Sequence, residues 1–145
     1  MKMIIGGFVL AAVAGALWAR RRYVVVTVEG TSMAPTLSDG DRVLVRRRRI
    51  DQVTTGDVVV LEPPLTPAGL GPPGRDGRQW NIKRAVALPG DPVPPGIGAG
   101  VPRVPAGALV VLGDNIDSVD SRQRGFFDAD RLLGVALRRL GGPPL

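Results

Sequence analysis

After residue 22 the apolar residues of this chain come in short runs broken by Gly, Pro and Asp, and almost none of them recur at a helical spacing. Runs of that kind are the signature of strands bounded by turns. The β-branched stretch Tyr23 to Val28 predicts a first strand ending at Gly30, and Asp41-Arg42-Val43-Leu44-Val45-Arg46 alternates as a second. Thr55-Gly56-Asp57 reads as a turn before a short, fully apolar strand at Val58 to Leu61. Gln79 to Leu88, closed by Pro89-Gly90, and Ala108 to Leu112 supply two more. Glu62 to Arg78 and Asp91 to Pro105 are too rich in Pro and Gly for regular structure, and the first reads as a surface excursion between two paired strands. Arg131 to Leu140 is open: its composition suits a helix, while Leu132, Val135 and Leu137 suit a last strand. The pattern predicts a mainly β, barrel-like domain over 23–140 and a tail, 141–145, that frays.

The first stretch is different. Met3 to Ala19 is uncharged and apolar, lies between Lys2 and Arg20-Arg21-Arg22, and is at the short limit for crossing a bilayer. Residues 1–22 are expected to form a transmembrane signal-anchor with a basic flank. A cleaved signal peptide, with small residues at Ala14-Gly15-Ala16 and Leu17-Trp18-Ala19, and a buried helix of a soluble domain are the competing readings. Trp18 and Tyr23 bracket the basic cluster, as interfacial aromatics do. Three arginines after the span against one lysine before it favour, by charge alone, keeping the rest of the chain inside.

Composition narrows the chemistry. At 145 residues the chain suffices for one domain of ordinary size, and it contains neither histidine nor cysteine. A Ser-His-Asp triad, a cysteine nucleophile and the usual Cys/His zinc sites are thereby excluded. The net charge is +6, yet of the 19 basic residues only Lys2 and Lys83 are lysines. Arginine stays charged at any useful pH, whereas burial can push lysine towards neutrality, so Lys83 marks a position where arginine would not serve. The run Arg46 to Arg49 fits a solvated hairpin end or contact with anionic lipid headgroups. Nucleic acid is not an expected partner, since only 4% of residues are aromatic and no stacking platform accompanies the arginines.

Ser32 follows the first strand in a stretch that Pro35 keeps irregular, a position from which a hydroxyl and its own N–H can face a ligand. A lone serine there more often caps a turn. If the fold brings Ser32 and Lys83 together, neutral Lys83 can take the serine proton as Ser32 attacks a carbonyl and return it to the leaving amine. Lys83 must then titrate below its free value of about 10.4. Burial beside Ile82 and Val28 acts in that direction, and Arg84 would add like-charge repulsion.

Three stretches together resemble the type I signal peptidases, membrane-bound Ser–Lys endopeptidases that remove signal peptides from secreted preproteins. The family's Gly-x-Ser-Met-x-Pro-Thr-Leu segment followed by Gly-Asp is similar to Gly30 to Leu37 and Gly40-Asp41. Its Lys-Arg-x-x-x-Leu-Pro-Gly-Asp segment is similar to Lys83 to Asp91, and its Gly-Asp-Asn and Ser-x-Asp-Ser-Arg pair to Gly113-Asp114-Asn115 and Ser118 to Arg122. Gly56-Asp57-Val58-Val59 resembles the strand between the first two. The resemblance implies a β-barrel catalytic core with one N-terminal transmembrane helix, needing neither cofactor nor metal. It implies Ser32 as nucleophile, with its N–H as one oxyanion donor, Lys83 as general base, and Ser118 orienting the amine. Arg84, Asp114, Asp120 and Arg122 become ion-paired support. Val28, Gly30, Met33 and Ile82 match positions at the pockets for an Ala-x-Ala ending, beside which the substrate adds as a strand.

Partners implied are preprotein signal peptides and the lipid bilayer. The implied location is the cell membrane, single-pass, with the catalytic domain on the outer face, against the charge count; the oligomeric state is left open. Three departures stand out. Gly30 replaces a serine that completes the oxyanion hole in some relatives, Ile116 stands where arginine is usual, and Asp91 to Gly113 is too short for the extra β domain of larger members. The chain therefore resembles a minimal catalytic core. Alternatives are a maturation peptidase dedicated to one precursor, a self-cleaving Ser–Lys protein of the repressor kind, and an inactive membrane-tethered peptide-binding module.

Overall fold

The computed structural model describes residues 2–63, 79–97 and 100–145. Helix α1 spans Lys2–Arg22 and runs directly into strand β1, Tyr23–Thr27. Strands β2 (Arg42–Arg47), β3 (Val58–Leu61), β4 (Asn81–Ala87) and β5 (Ala108–Leu112) follow the apolar runs closely. A four-residue helix α2 (Ser121–Arg124), a short strand β6 (Phe127–Asp128) and a long strand β7 (Leu132–Arg139) complete the chain. Among the described residues no helix is long and apolar enough to cross a membrane.

The strands form one antiparallel sheet in the order β1-β2-β7-β3-β4-β5-β6. The mainly β expectation is met; among the described residues the ladder has two ends, β1 and β6. The ambiguous segment Arg131 to Leu140 is a strand because it fills the gap between β2 and β3, whose inner edges both need backbone partners. Helix α2 and strand β6 were not foreseen: four and two residues are too few to show a period. The excursion expected from Glu62 to Arg78 falls, apart from Glu62 and Pro63, outside the described residues, but the strands it was expected to join do pair, Val59 facing Lys83 and Val60 facing Ile82. The tail expected to fray turns back beside β7, and the Leu145 N–H donates to the Leu137 carbonyl at 3.1 Å.

Apolar side chains cover both faces of the sheet. Val58, Val60 and Ile82 join Val26, Val43, Val45, Met33 and Leu37 on one side; Val59 and Leu61 join Ala85, Leu109, Val111 and Phe127 on the other. A strand sandwiched in this way has no polar face, which is why Val58 to Leu61 reads as an unbroken apolar run. Lys83 shares its face with Val59 and Ala85, so its stem enters the second cluster. Burial of β3 on both sides predicts that Val59→Thr and Val60→Thr each lower the unfolding free energy by about 1–3 kcal/mol, the cost of an unmatched hydroxyl. Denaturant titration checks this, and a neutral effect at either position would show that face to be wet.

Candidate active site

The sheet opens where the chemistry is expected. Strand β5 pairs with β4 only from Arg84 onward, because the chain leaves the ladder at Gly113. Residues 80–82 are thus free of a strand partner on that side, and across the gap lie Glu29, Gly30 and Thr31. The space between them is a cleft of about 270 Å3 whose lining also includes Ser32, Lys83 and Val119.

Ser32 sits on the irregular turn after β1, where Pro35 follows a cis peptide bond. The turn is built by local bonds, Ala34 N–H to the Thr31 carbonyl at 3.0 Å and Leu37 N–H to the Met33 carbonyl at 2.9 Å. Ser32 Oγ donates to the Ile82 carbonyl at 3.4 Å, which brings it beside the residue preceding Lys83. Gly30 has φ +78°, and its N–H donates to Asp39 Oδ1 at 2.9 Å. A left-handed backbone of this kind favours glycine over the serine of some relatives.

Lys83 is 4% exposed, and its Nζ donates to Ser118 Oγ at 2.9 Å. Burial lowers its pKa below the ordinary 10.5, the nearby Asp120 carboxylate pulls it back up, and the Arg124 and Arg122 guanidiniums push it down again. The expected repulsion from Arg84 is replaced by these two. Arg84 points to the other face of β4, where Asp114 neutralises it through bonds of 2.8 and 2.6 Å.

The loop from Gly113 to Arg122 holds the parts together. Asp114 also accepts from Thr36 Oγ1 at 2.5 Å, and Arg84 Nη1 donates to the Gly56 carbonyl at 2.8 Å. Asn115 braces the serine turn twice: its N–H donates to the Ser32 carbonyl at 3.1 Å and its side-chain amide to the Thr31 carbonyl at 3.0 Å. Asp120, fully buried, accepts from the Gly113 N–H at 2.8 Å and from the Arg122 guanidinium at 2.9 and 2.7 Å. Hydrogen bonds from Arg84 hold the Asp114 carboxyl below the usual range. For Asp120, burial pushes upward but the bonds from Arg122 and Gly113 win, so its pKa is lowered too.

Of the residues picked from sequence, Ser32, Lys83, Gly30 and Ile82 line the cleft, Ser118 bonds the amine behind it, and Arg84, Asp114, Asp120 and Arg122 form two ion pairs around it. Val28 and Met33 do not line it; at 3% and 1% exposed they belong to the apolar core beneath the serine turn. Strand alternation and turn packing, not pocket chemistry, decide their direction. Asn115 and Thr36 were missed as supports, although both stand inside the matched motifs. Arg124 and Phe127, at the cleft's far wall, follow those motifs and carried no signal of their own.

Comparison with known proteins agrees with the geometry. The family described as "Signal peptidase, peptidase S26" matches residues 1–95 and 96–140. "Probable signal peptidase I-1" of Synechocystis sp. is 32% identical over 161 residues, covering 94% of this chain and 79% of its own. "Signal peptidase I" of Bacillus licheniformis is 29% identical over 144 residues, covering 75% and 72%. "Signal peptidase I T" of Bacillus subtilis is 31% identical over 140 residues, covering 75% and 69%. An antiparallel sheet holding these motifs around one cleft makes the chain an enzyme of the serine endopeptidase class. It belongs to the signal peptidase family, peptidase S26.

Two outcomes follow from this site. A Cβ at Gly113 would collide with the Ser118 hydroxyl and lie 2.5 Å from the Ser32 carbonyl oxygen, so Gly113→Ala should distort both partners at once. Thermal melting and peptidase assay of that variant should show activity lost by about tenfold or more, as expected when a reacting group is misplaced by a fraction of an ångström. Lys83 supplies a pH signature. Because its folded pKa lies below its unfolded value of 10.5, the unfolded chain holds the extra proton between the two. Stability therefore rises with pH from the folded pKa up to 10.5, and the penalty for burying the ammonium is complete below that window. The difference between parent and Lys83→Met in unfolding free energy against pH should carry this slope, and a flat difference would contradict it.

Proposed function

We propose that this chain is a membrane-anchored endopeptidase that removes N-terminal signal peptides from secreted preproteins after small residues, using a Ser32–Lys83 dyad. The observation that carries the reading is the buried Lys83 amine, bonded to Ser118 and opening on the cleft that holds Ser32, in a chain without histidine. The preprotein adds as an extended strand between residues 29–31 and 80–82, so main-chain bonds supply affinity. Ile82 and Gly30 border the small space left for the residue before the cut. Rotation of Ser32 about its Cα–Cβ bond redirects the hydroxyl from the Ile82 carbonyl to the amine.

Neutral Lys83 then accepts the Ser32 proton as Oγ bonds the scissile carbonyl carbon, and the oxyanion is met by the Ser32 N–H. Collapse breaks the C–N bond, and the lysine proton leaves with the new amine of the mature chain. Water, deprotonated by the neutral Lys83 amine, attacks the ester carbonyl; the acyl C–O bond breaks, the signal peptide leaves as a carboxylate, and the lysine returns the proton to Ser32 Oγ. Ser118 keeps Nζ aimed at the hydroxyl, and the two ion pairs keep the three motifs in register.

Residues Met3 to Ala19 tie the chain to the bilayer, a role supported by their uncharged, apolar composition between Lys2 and Arg20 to Arg22, while α1 itself falls short of the length and apolarity of a full crossing. The catalytic domain faces outward, where preproteins present their cleavage sites. Pairing of Tyr23 with Arg46 sets Arg20 to Arg22 beside Arg46 to Arg48, a basic edge suited to anionic headgroups. The test is cleavage of a preprotein ending in Ala-x-Ala by the detergent-solubilised chain. The parent should cut after the second Ala, with a rate that rises with pH to a midpoint below 10.5. Ser32→Ala and Lys83→Arg should each lose about a thousandfold or more. Equal activity in all three would remove the dyad.

A further inference from the structure

A second cleft, of about 340 Å3, adjoins the first and is assigned no role by the dyad. Its lining is Glu62, Ala108, Phe126, Asp128 and Arg131, together with Arg124 and Phe127, which also line the first cleft. Arg124 and Phe127 therefore form the wall between the two. This wall stands next to Val119, the neighbour of Ser118, and hence at the end of the first cleft where Lys83 is held. A strand laid between residues 29–31 and 80–82 that continues past Ser32 towards Lys83 and Val119 meets it.

The wall is built to stay in place. Asp120 caps α2 through the Arg122 N–H at 3.1 Å, and the Arg124 N–H donates to the Asp120 carbonyl at 2.9 Å. Ser121 accepts from the Val111 N–H at 2.9 Å, which ties α2 to the sheet. The Arg124 side chain is exposed and makes no ion pair with a described residue, unlike Arg84 and Arg122. Arg131 differs again, donating to the Pro63 carbonyl.

We infer that the second cleft takes the first residues of the mature chain, immediately after the scissile bond, and that Arg124 selects an acidic over a basic side chain there. Phe126 and Phe127 offer apolar surface to the substrate backbone and stems; Glu62, Asp128 and Arg131 line the second cleft alone, so of its charged groups Arg124 is the one that also faces the first cleft and is met first. This inference rests on the signal-peptide cleavage proposed above. Arg124 also repels the Lys83 ammonium, so its removal alters the base as well, and the experiment has to separate the two effects.

A pair of peptides with the same Ala-x-Ala ending, followed by Asp or by Lys in the second position after the cut, does so. The ratio of their kcat/KM values within one enzyme cancels anything that Arg124 does to Lys83. The parent should favour the Asp peptide by about two- to fivefold at low salt, the range of an exposed ion pair. Arg124→Glu should invert the preference. A photoreactive benzoylphenylalanine at the same position, bound to Ser32→Ala, should crosslink to residues 124–131. An unchanged ratio in Arg124→Glu, or crosslinks confined to residues 29–31 and 80–82, would overturn the assignment while leaving cleavage itself intact. A parent that cuts neither peptide would remove the underlying activity and this site with it.

Discussion

A single ammonium group placed out of water governs this molecule. Isolating a lysine head in an apolar interior costs several kcal/mol, which drives the group towards its neutral form. Lys83 meets that cost on a strand whose neighbouring face carries Val59 and Ala85, with Ser118 as hydrogen-bond partner and Asp120 close by. The balance is deliberately incomplete. Asp120 is already engaged by Arg122 and by the Gly113 N–H, so it attracts the amine without forming a direct ion pair that would hold it fully charged. Arg122 and Arg124 press the other way. The outcome is an amine whose pKa lies below the ordinary 10.5.

The same polar groups carry the architecture of the site. Asp114 joins β4 to the serine turn through Arg84 and Thr36, and Asn115 joins the loop to the carbonyls of Thr31 and Ser32. Buried and half-buried carboxylates of this type are tolerable only when each oxygen finds a donor, and here each does. Interrupting any one of these bonds leaves a charge without its partner close to the reacting groups. The motifs are consequently coupled, and one ought to vary with the others. The gap where β5 leaves β4 follows from the same loop: Gly113 must turn away to bring Asp114 and Asn115 to the serine, and its departure leaves residues 80–82 open to a substrate strand.

The short connection between Asp91 and Gly113 leaves the proposed recognition to the cleft walls. In the proposed mode of binding, recognition between residues 29–31 and 80–82 is mostly main chain, with size selection near Ile82, and beyond the wall of Arg124 and Phe127 it turns to charge and aromatic surface. The two clefts meet at the wall formed by Arg124 and Phe127.

Much of this was legible in the residues. The short β-branched runs at Tyr23, Val58 and Ala108 set their strands almost to the residue, because a strand bounded by Gly and Pro has little freedom to shift. The lack of histidine, the rarity of lysine and the motifs around Ser32, Lys83 and Ser118 pointed to the chemistry. What the sequence could not convey is direction and partnership across the fold. Whether Arg131 to Leu140 coils or extends depends on a gap between β2 and β3 that exists only once they are placed. Val28 and Met33 turn into the core, Arg84 turns to Asp114, and the charges of Arg122 and Arg124 act on the amine, all decided by which face of a strand or loop meets which neighbour. Composition and spacing determine what a segment can form and what a side chain can do; burial and charge balance are sums over neighbours distant in the chain, and only the tertiary structure brings those neighbours together.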